Sequence, residues 1–400
     1  MLTDTSTQLI RNIKNRLEPV YNTISIQFSP NTKKMLSLLF NRIAYANEIW
    51  KINSDSIKIN KIKNVEINTS YYPKIIQESI QNKIHHYYNI TFTIDDRNIS
   101  VNVCTQQKYN IQKLKGIIRR IYMWLFIGTF FADKKCSQIL NIYLILLPDK
   151  KHLPQINREP IDREHINTAF TYPCKENNDI HIFREEEWFK VFIHETFHSL
   201  GLDFSQFNHS NTNKQILSIF NVVADVRIFE SYCEIWAEIC NNMFIVFYST
   251  RWNNDQNKWN ETCINKLKNM IHNEQIFSLF QSSKILDHFQ IQYNDLLRKP
   301  NDNSPNLNYK DKTHVLSYYI IKCILLYNLD FFISECIGIN GYTINFNKEL
   351  SKINNNMNKY CDIVKKLHND STFIKNINRR IDNVPESMQT TLRMSAYEMK

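Results

Sequence analysis

The segment EEEWFKVFIHETFHSLGLDF contains His194-Glu195-Thr196-Phe197-His198, an H-E-x-x-H motif. Side chains four apart on a helix lie one turn apart and about 40° from alignment. Two imidazoles so spaced can reach one tetrahedral zinc ion. The carboxylate of Glu195, beside the first imidazole, then points to where a metal-bound water would sit, the place of a general base. A structural zinc is closed by four protein ligands, whereas a catalytic zinc has three and keeps one position open. The pattern H-E-x-x-H-x-x-G-x-x-H continues through Gly201 and then fails, because position 204 is Phe. Asp203 is one residue off that pattern and His209 lies further along. The better source of a third ligand is Tyr232-Cys233-Glu234-Ile235-Trp236-Ala237-Glu238, with two carboxylates four apart and Ala237 between them, small enough for close helix approach. Glu234 is expected on the metal. Glu238, one turn on, is expected to accept a hydrogen bond from a ligating His. Val226, Phe229, Ile235, Trp236 and Ile239 surround these acids with apolar side chains, and a buried acid needs a partner.

The elements that must position these residues can be read from periodicity. Phe192, Ile193, Phe197 and Leu200 give the H-E-x-x-H segment an apolar face. Glu185 to Glu187 suit its N-terminus and Gly201 suits its C′ position. Upstream, Ile90, Phe92 and Ile94 alternate with threonines, Asp95 to Asn98 supply a turn, and Ile99, Val101 and Val103 alternate again, a β-hairpin signature. A helix over 108–131, a buried strand over Ile142 to Leu147, and strands over Ile166 to Thr171 and Ile180 to Phe183 complete this region. Helical spacing dominates residues 1–80 and recurs over 215–250, 262–297, 311–337 and 347–381, with a polar two-proline loop at 298–310. Three parts are expected: a mostly helical region 1–80, either an accessory domain or a pro-segment; a sheet-and-helix part 81–210 with the H-E-x-x-H helix; and a helical part 211–400 with the third-ligand helix.

H-E-x-x-H with a Glu in an E-x-x-A-E stretch some 36 residues past the second His (198 to 234) resembles the gluzincin branch of the zincin metallopeptidases, in its long-spacer members. The resemblance covers residues 88–250. Gly201-Leu202-Asp203 and the segment TLRMSAYE, in an AT-rich composition, are similar to metallopeptidases of large DNA viruses. The resemblance implies an α+β zincin-like fold: a small mixed sheet with the active-site helix, followed by a helical C-terminal subdomain. It implies Zn2+, held by His194, His198 and Glu234, and a hydrolase acting on a protein or peptide substrate with Glu195 as base. It makes Ile166 to Thr171 an edge strand that pairs with substrate backbone. It also asks for a His or Tyr near the developing oxyanion. The segment Thr313-His314-Val315-Leu316-Ser317-Tyr318-Tyr319 is its best source, with His314 or Tyr319 as the donor. The competing reading is a zincin-fold scaffold or virion component without turnover.

Composition narrows the field. Five glycines in 400 residues cannot assemble a Rossmann fingerprint or a P-loop, which argues against those nucleotide sites, and few positive-φ turns are expected. The net charge of +10 is dispersed, with no run of five basic residues, and argues against a nucleic-acid partner. Nine cysteines without C-x-x-C suggest free, buried thiols in a reducing, intracellular compartment. The N-terminus has no apolar signal-peptide core. The longest apolar run, Ile121 to Ala132, is too short for a membrane span.

Overall fold

The computed structural model describes residues 1–21, 24–252, 255–298, 308–381 and 383–400. Most of the expected 298–310 loop, including both prolines, therefore lies outside the described residues. The strands are β1 (Ile59–Ile62), β2 (His86–Ile94), β3 (Arg97–Thr105), β4 (Ile139–Leu146), β5 (Ala169–Thr171) and β6 (Asn177–Ile182). The helices are α1 (Asp4–Asn12), α2 (Pro30–Asn53), α3 (Lys74–Lys83), α4 (Ile111–Phe131), α5 (Arg163–Ile166), α6 (Trp188–Ser199), α7 (Ser210–Leu217), α8 (Ile228–Ser249), α9 (Gln256–His288), α10 (Tyr293–Leu296), α11 (Lys322–Tyr327), α12 (Leu329–Asn340), α13 (Ile353–Leu367), α14 (Ser371–Ile377) and α15 (Glu386–Thr390).

The fold is a mixed α+β one, with a six-stranded mixed sheet and a helical C-terminal region. The chain divides into two compact units, one formed by residues 38–150 and 167–206, the other by 1–37, 151–166 and 207–400. The expected segment 1–80 is split at residue 37, because its first helix groups with the helical half of the chain. Residues 59–62 of that segment form a strand. Periodicity could not reveal it, since INKI is four residues long with polar residues at its centre.

In the sheet unit the strand order is β1-β2-β3-β4-β6-β5. The 95–98 turn closes the antiparallel β2–β3 hairpin, with Ile94 opposite Arg97. β3, β4 and β6 run parallel, with Val101 opposite Ile142 and Ile142 opposite Ile180. Central parallel strands are covered on both faces and read as continuous apolar runs, which is why Ile142 to Leu147 lacks alternation. β5 is antiparallel to β6 and forms one edge, as expected for 166–171, although only Ala169–Thr171 are strand. The apolar run 121–132 is the core of α4, whose Asn110 side chain caps it by accepting from the Lys113 amide at 2.8 Å.

In the helical unit α8 is buried over Ile228–Val246, and α9 runs 33 residues. The expected helix over 215–250 is interrupted between α7 and α8. Where a helix over 311–337 was expected, the chain first makes a π-helical stretch, Leu316–Ile321. No helix among the described residues is long and apolar enough to cross a membrane.

One composition reading needs correction. Cys136 and Cys174 are joined as a disulfide, and the other seven cysteines form no disulfide and are buried. The pair lies in the loops leading into β4 and β6, which adjoin only in the folded sheet, so no sequence spacing announces it. Positive-φ positions are few among the described residues, as the scarcity of glycine suggests, and most fall on other residue types. Asp95, Ser137, Arg158, Cys174, Glu187, Gln290 and His314 adopt them instead, at a cost of about 1 kcal/mol or more each.

Candidate metal centre

α6 carries the H-E-x-x-H residues through the sheet unit's core. Its twelve residues are all buried, more than a one-sided amphipathic helix requires. Thr196, inside the motif, takes a hydrogen bond from the Trp124 indole of α4 and donates to the Ile193 carbonyl at 2.6 Å. Phe197 stacks on Trp124 at 6.0 Å. A methyl group on Gly128 of α4 would stand 2.9 Å from the Leu200 side chain, so glycine permits this close helix packing. Gly201 ends α6 with φ +64°, and the amides of Gly201 and Leu202 return to the carbonyls of His198 and Phe197. This is the left-handed C′ position that the sequence assigns to Gly201.

The turn after Gly201 brings Asp203 back onto the helix. Asp203 is fully buried, and its Oδ2 accepts the Nδ1 hydrogen of His198 at 2.7 Å. Its Oδ1 accepts from the Ser205 hydroxyl at 2.9 Å. A carboxylate only accepts, so the His198 proton sits on Nδ1 and Nε2 carries the lone pair. That Nε2 faces the Nε2 of His194 at 3.1 Å, with the two rings inclined by 75°. Two nitrogens on one tetrahedral zinc, each at 2.0–2.1 Å, would lie about 3.3 Å apart. The pair therefore fits a shared zinc, and the Asp203–His198 link is the orienting hydrogen bond that metal-binding histidines commonly use. Sequence spacing left Asp203 open among ligand, cap and core roles. Its hydrogen bond to a motif histidine was beyond spacing, because it depends on the reversal at Gly201. Glu195 follows His194 on α6 and is 8 % exposed.

The helical unit holds the expected carboxylates. Glu230, Glu234 and Glu238 follow one another at four-residue steps along α8, all buried. Sequence reading stopped at Glu234 and Glu238 and passed over Glu230, although the same four-residue spacing extends back to it. Glu238 is ion-paired with Lys322, itself 2 % exposed. Burial alone would lower the Lys322 pKa, but Glu238, then Glu234 and Glu274, outweigh it and hold the ammonium charged. Lys322 also donates to the Met394 carbonyl at 2.5 Å. The partner found for Glu238 within this unit is thus a lysine, where the sequence suggested a histidine.

The segment expected to supply an oxyanion donor also lies in this unit. The Tyr319 hydroxyl donates its one proton to the Leu392 carbonyl at 2.6 Å, and the residue is 2 % exposed. The fold has therefore already committed that proton. His314 sits at φ +60° with Nδ1 2.8 Å from the Asp225 carbonyl. Tyr318 lies 6.2 Å from the His314 ring, centroid to centroid.

No protein-family description, no curated protein and no solved structure matches the chain.

Proposed function

We propose that the chain is a zinc-dependent peptidase of zincin type. The observation that carries this reading is the His194–His198 pair, with Nε2 atoms 3.1 Å apart and the outer nitrogen of His198 held by a buried carboxylate. Two neutral histidines could share a proton at this distance, but a structural pair needs neither an anchoring acid nor a neighbouring Glu195. The third ligand would come from α8. Glu238 is neutralised by Lys322 and Glu234 lies in the field of the same ammonium. Glu230, two turns ahead of Glu238 on the same helix, is the carboxylate we assign. Bound zinc supplies Lewis-acid polarisation of a peptide carbonyl and of the attacking water.

Around it the chain's residues would divide the work. Asp203 fixes the tautomer and aim of His198. Glu195 takes a proton from water and returns it to the departing amine. The Tyr319 proton is committed to Leu392 and the His314 Nδ1 proton to the Asp225 carbonyl, so neither is assigned to the oxyanion. β5, at the edge of the sheet, would pair with the substrate backbone.

Metal analysis of the purified protein tests this reading. About one zinc per chain is expected in the wild type, lost in His194→Ala and Glu230→Ala and kept in Glu195→Gln, which should abolish peptide hydrolysis. Zinc lost from Glu234→Ala and retained by Glu230→Ala would transfer the ligand role to Glu234. A wild type that takes up no zinc after reconstitution would end the reading.

A further inference from the structure

The disulfide lies against the end of the helix that carries the histidine pair. Cys136 and Cys174 open the loops into β4 and β6. A methyl group on Gly201 would meet Cys136 Sγ at 3.1 Å and Cys174 Cβ at 3.3 Å, so the bridge packs directly under the α6 C′ residue. Both loops are also hydrogen-bonded to the last turn of α6. The Cys174 amide donates to the His198 carbonyl at 3.0 Å, and the Ser137 hydroxyl donates to the Ser199 carbonyl at 2.8 Å. The Ser137 amide donates to the Lys175 carbonyl, joining one loop to the other. Ser137 and Cys174 both hold positive φ, +52° and +41°, conformations that persist only where the surroundings enforce them. The bridge is therefore one of the restraints holding His198 and the turn that delivers Asp203.

The remaining thiols make this pair distinct. All seven are buried. Burial pushes Cys104 and Cys361 up to about 12, and Cys263 and Cys323 up to about 11, which keeps them protonated and inert. Cys174, in contrast, is only half-buried, whereas Cys136 is fully buried. Cys174 is therefore the side of the bridge on which attack by a dithiol is expected.

We propose that Cys136–Cys174 is a reversible redox switch on the last turn of α6, and through His198 and Asp203 on the metal affinity of the histidine pair. The second part rests on the zinc reading above. In the reducing direction one thiolate of a dithiol attacks Cys174 Sγ. The Cys136–Cys174 bond breaks, and Cys136 leaves as a thiolate and takes a proton. The second dithiol sulfur closes on the mixed disulfide and releases Cys174 as a thiol. The dithiol ends as a cyclic disulfide, having given two electrons and two protons.

The test compares the full chain with and without a dithiol by two readouts, amide hydrogen exchange and zinc competition against a chromophoric chelator. Reduction should speed exchange of the Cys174, Gly201 and Leu202 amides and weaken zinc about tenfold, the scale of losing an orienting partner. Cys174→Ser should behave as the reduced protein in both conditions, and Cys104→Ser should keep the full response. Thiol labelling that finds Cys136 and Cys174 free in the air-oxidised protein would overturn the proposal. So would zinc affinity equal in both redox states, or exchange at the three amides that ignores the dithiol. Exchange that responds in a protein binding no zinc in either state would uphold the switch on α6 and remove the metal reading.

Discussion

Two buried helices show two ways of keeping polar groups in an apolar interior. On α8, Glu238 meets Lys322 and the charges cancel inside the helical unit. On α6, His198 is braced by Asp203, yet its second nitrogen is aimed at the equivalent nitrogen of His194. The first arrangement satisfies itself. The second directs lone-pair capacity to one point and gives each outer contact an orienting task. A buried charge pair is weak evidence of function, because it only offsets the cost of its own burial. Convergent ring nitrogens with an acid behind one of them are better evidence, because packing alone has no use for that alignment.

The sharpest way to break this comparison is to unpair the α8 cluster. Lys322→Met should destabilise the protein by about 3–5 kcal/mol, since Glu238 would remain buried without its counter-ion. The double variant Lys322→Met/Glu238→Leu should recover part of that loss, the remainder belonging to Glu234 and Glu274, which the same ammonium faces; denaturant unfolding checks the result. A double variant no more stable than the single one would show that the pair has a role beyond neutralising itself. His198→Ala, by the same comparison, should cost metal far more than it costs folding.

A third buried polar residue separates stability from chemistry by pH. His181 of β6 is stacked between Tyr143 and Phe170, each 4.6 Å away, and its Nδ1 is 2.7 Å from the Tyr72 hydroxyl. Burial lowers its pKa from 6.5 to about 4, against a smaller opposing pull from Asp179. The folded state keeps the ring neutral while the unfolded chain protonates it. Stability present above about pH 6.5 is therefore lost as pH falls towards 4, by about 3 kcal/mol in all. His181→Phe keeps the stack and cannot titrate, so its unfolding free energy should fall less steeply over that window. Parallel pH profiles for the two proteins would remove His181 as the cause.

Local sequence carried the site's first elements because its spacing is local. Four residues on a helix place His194 beside His198, and a glycine three residues past His198 ends that helix. The hairpin at 90–103 and the buried strand before Pro148 were legible for the same reason. What spacing could not carry depends on chain reversals or distant segments. Asp203 reaches His198 only because Gly201 turns the chain, and Lys322 finds Glu238 from a different helix. Tyr319 was a reasonable oxyanion donor by position, and only the fold shows its proton going to Leu392. Cys136 and Cys174 became neighbours through sheet order, not through any C-x-x-C arrangement.

The contrast between the two helices is refined most finely along the chain of contacts behind His198. Asp203→Asn keeps the shape but trades a carboxylate for an amide, and should weaken zinc about 10- to 100-fold with little change in fold. Ser205 stands one step further out, donating to the other oxygen of Asp203 at 2.9 Å. Ser205→Ala removes one hydrogen bond to a charged acceptor, worth about 1.5–3 kcal/mol in general and less at this half-buried position, where water can replace the hydroxyl. A loss of zinc affinity smaller than that of Asp203→Asn is expected, with the order His198→Ala, Asp203→Asn, Ser205→Ala. Chelator competition on the three variants would read that order directly. A Ser205→Ala effect as large as that of Asp203→Asn would mean that the hydroxyl, rather than the carboxylate's own charge, fixes the imidazole, and the orienting role would move outward by one residue.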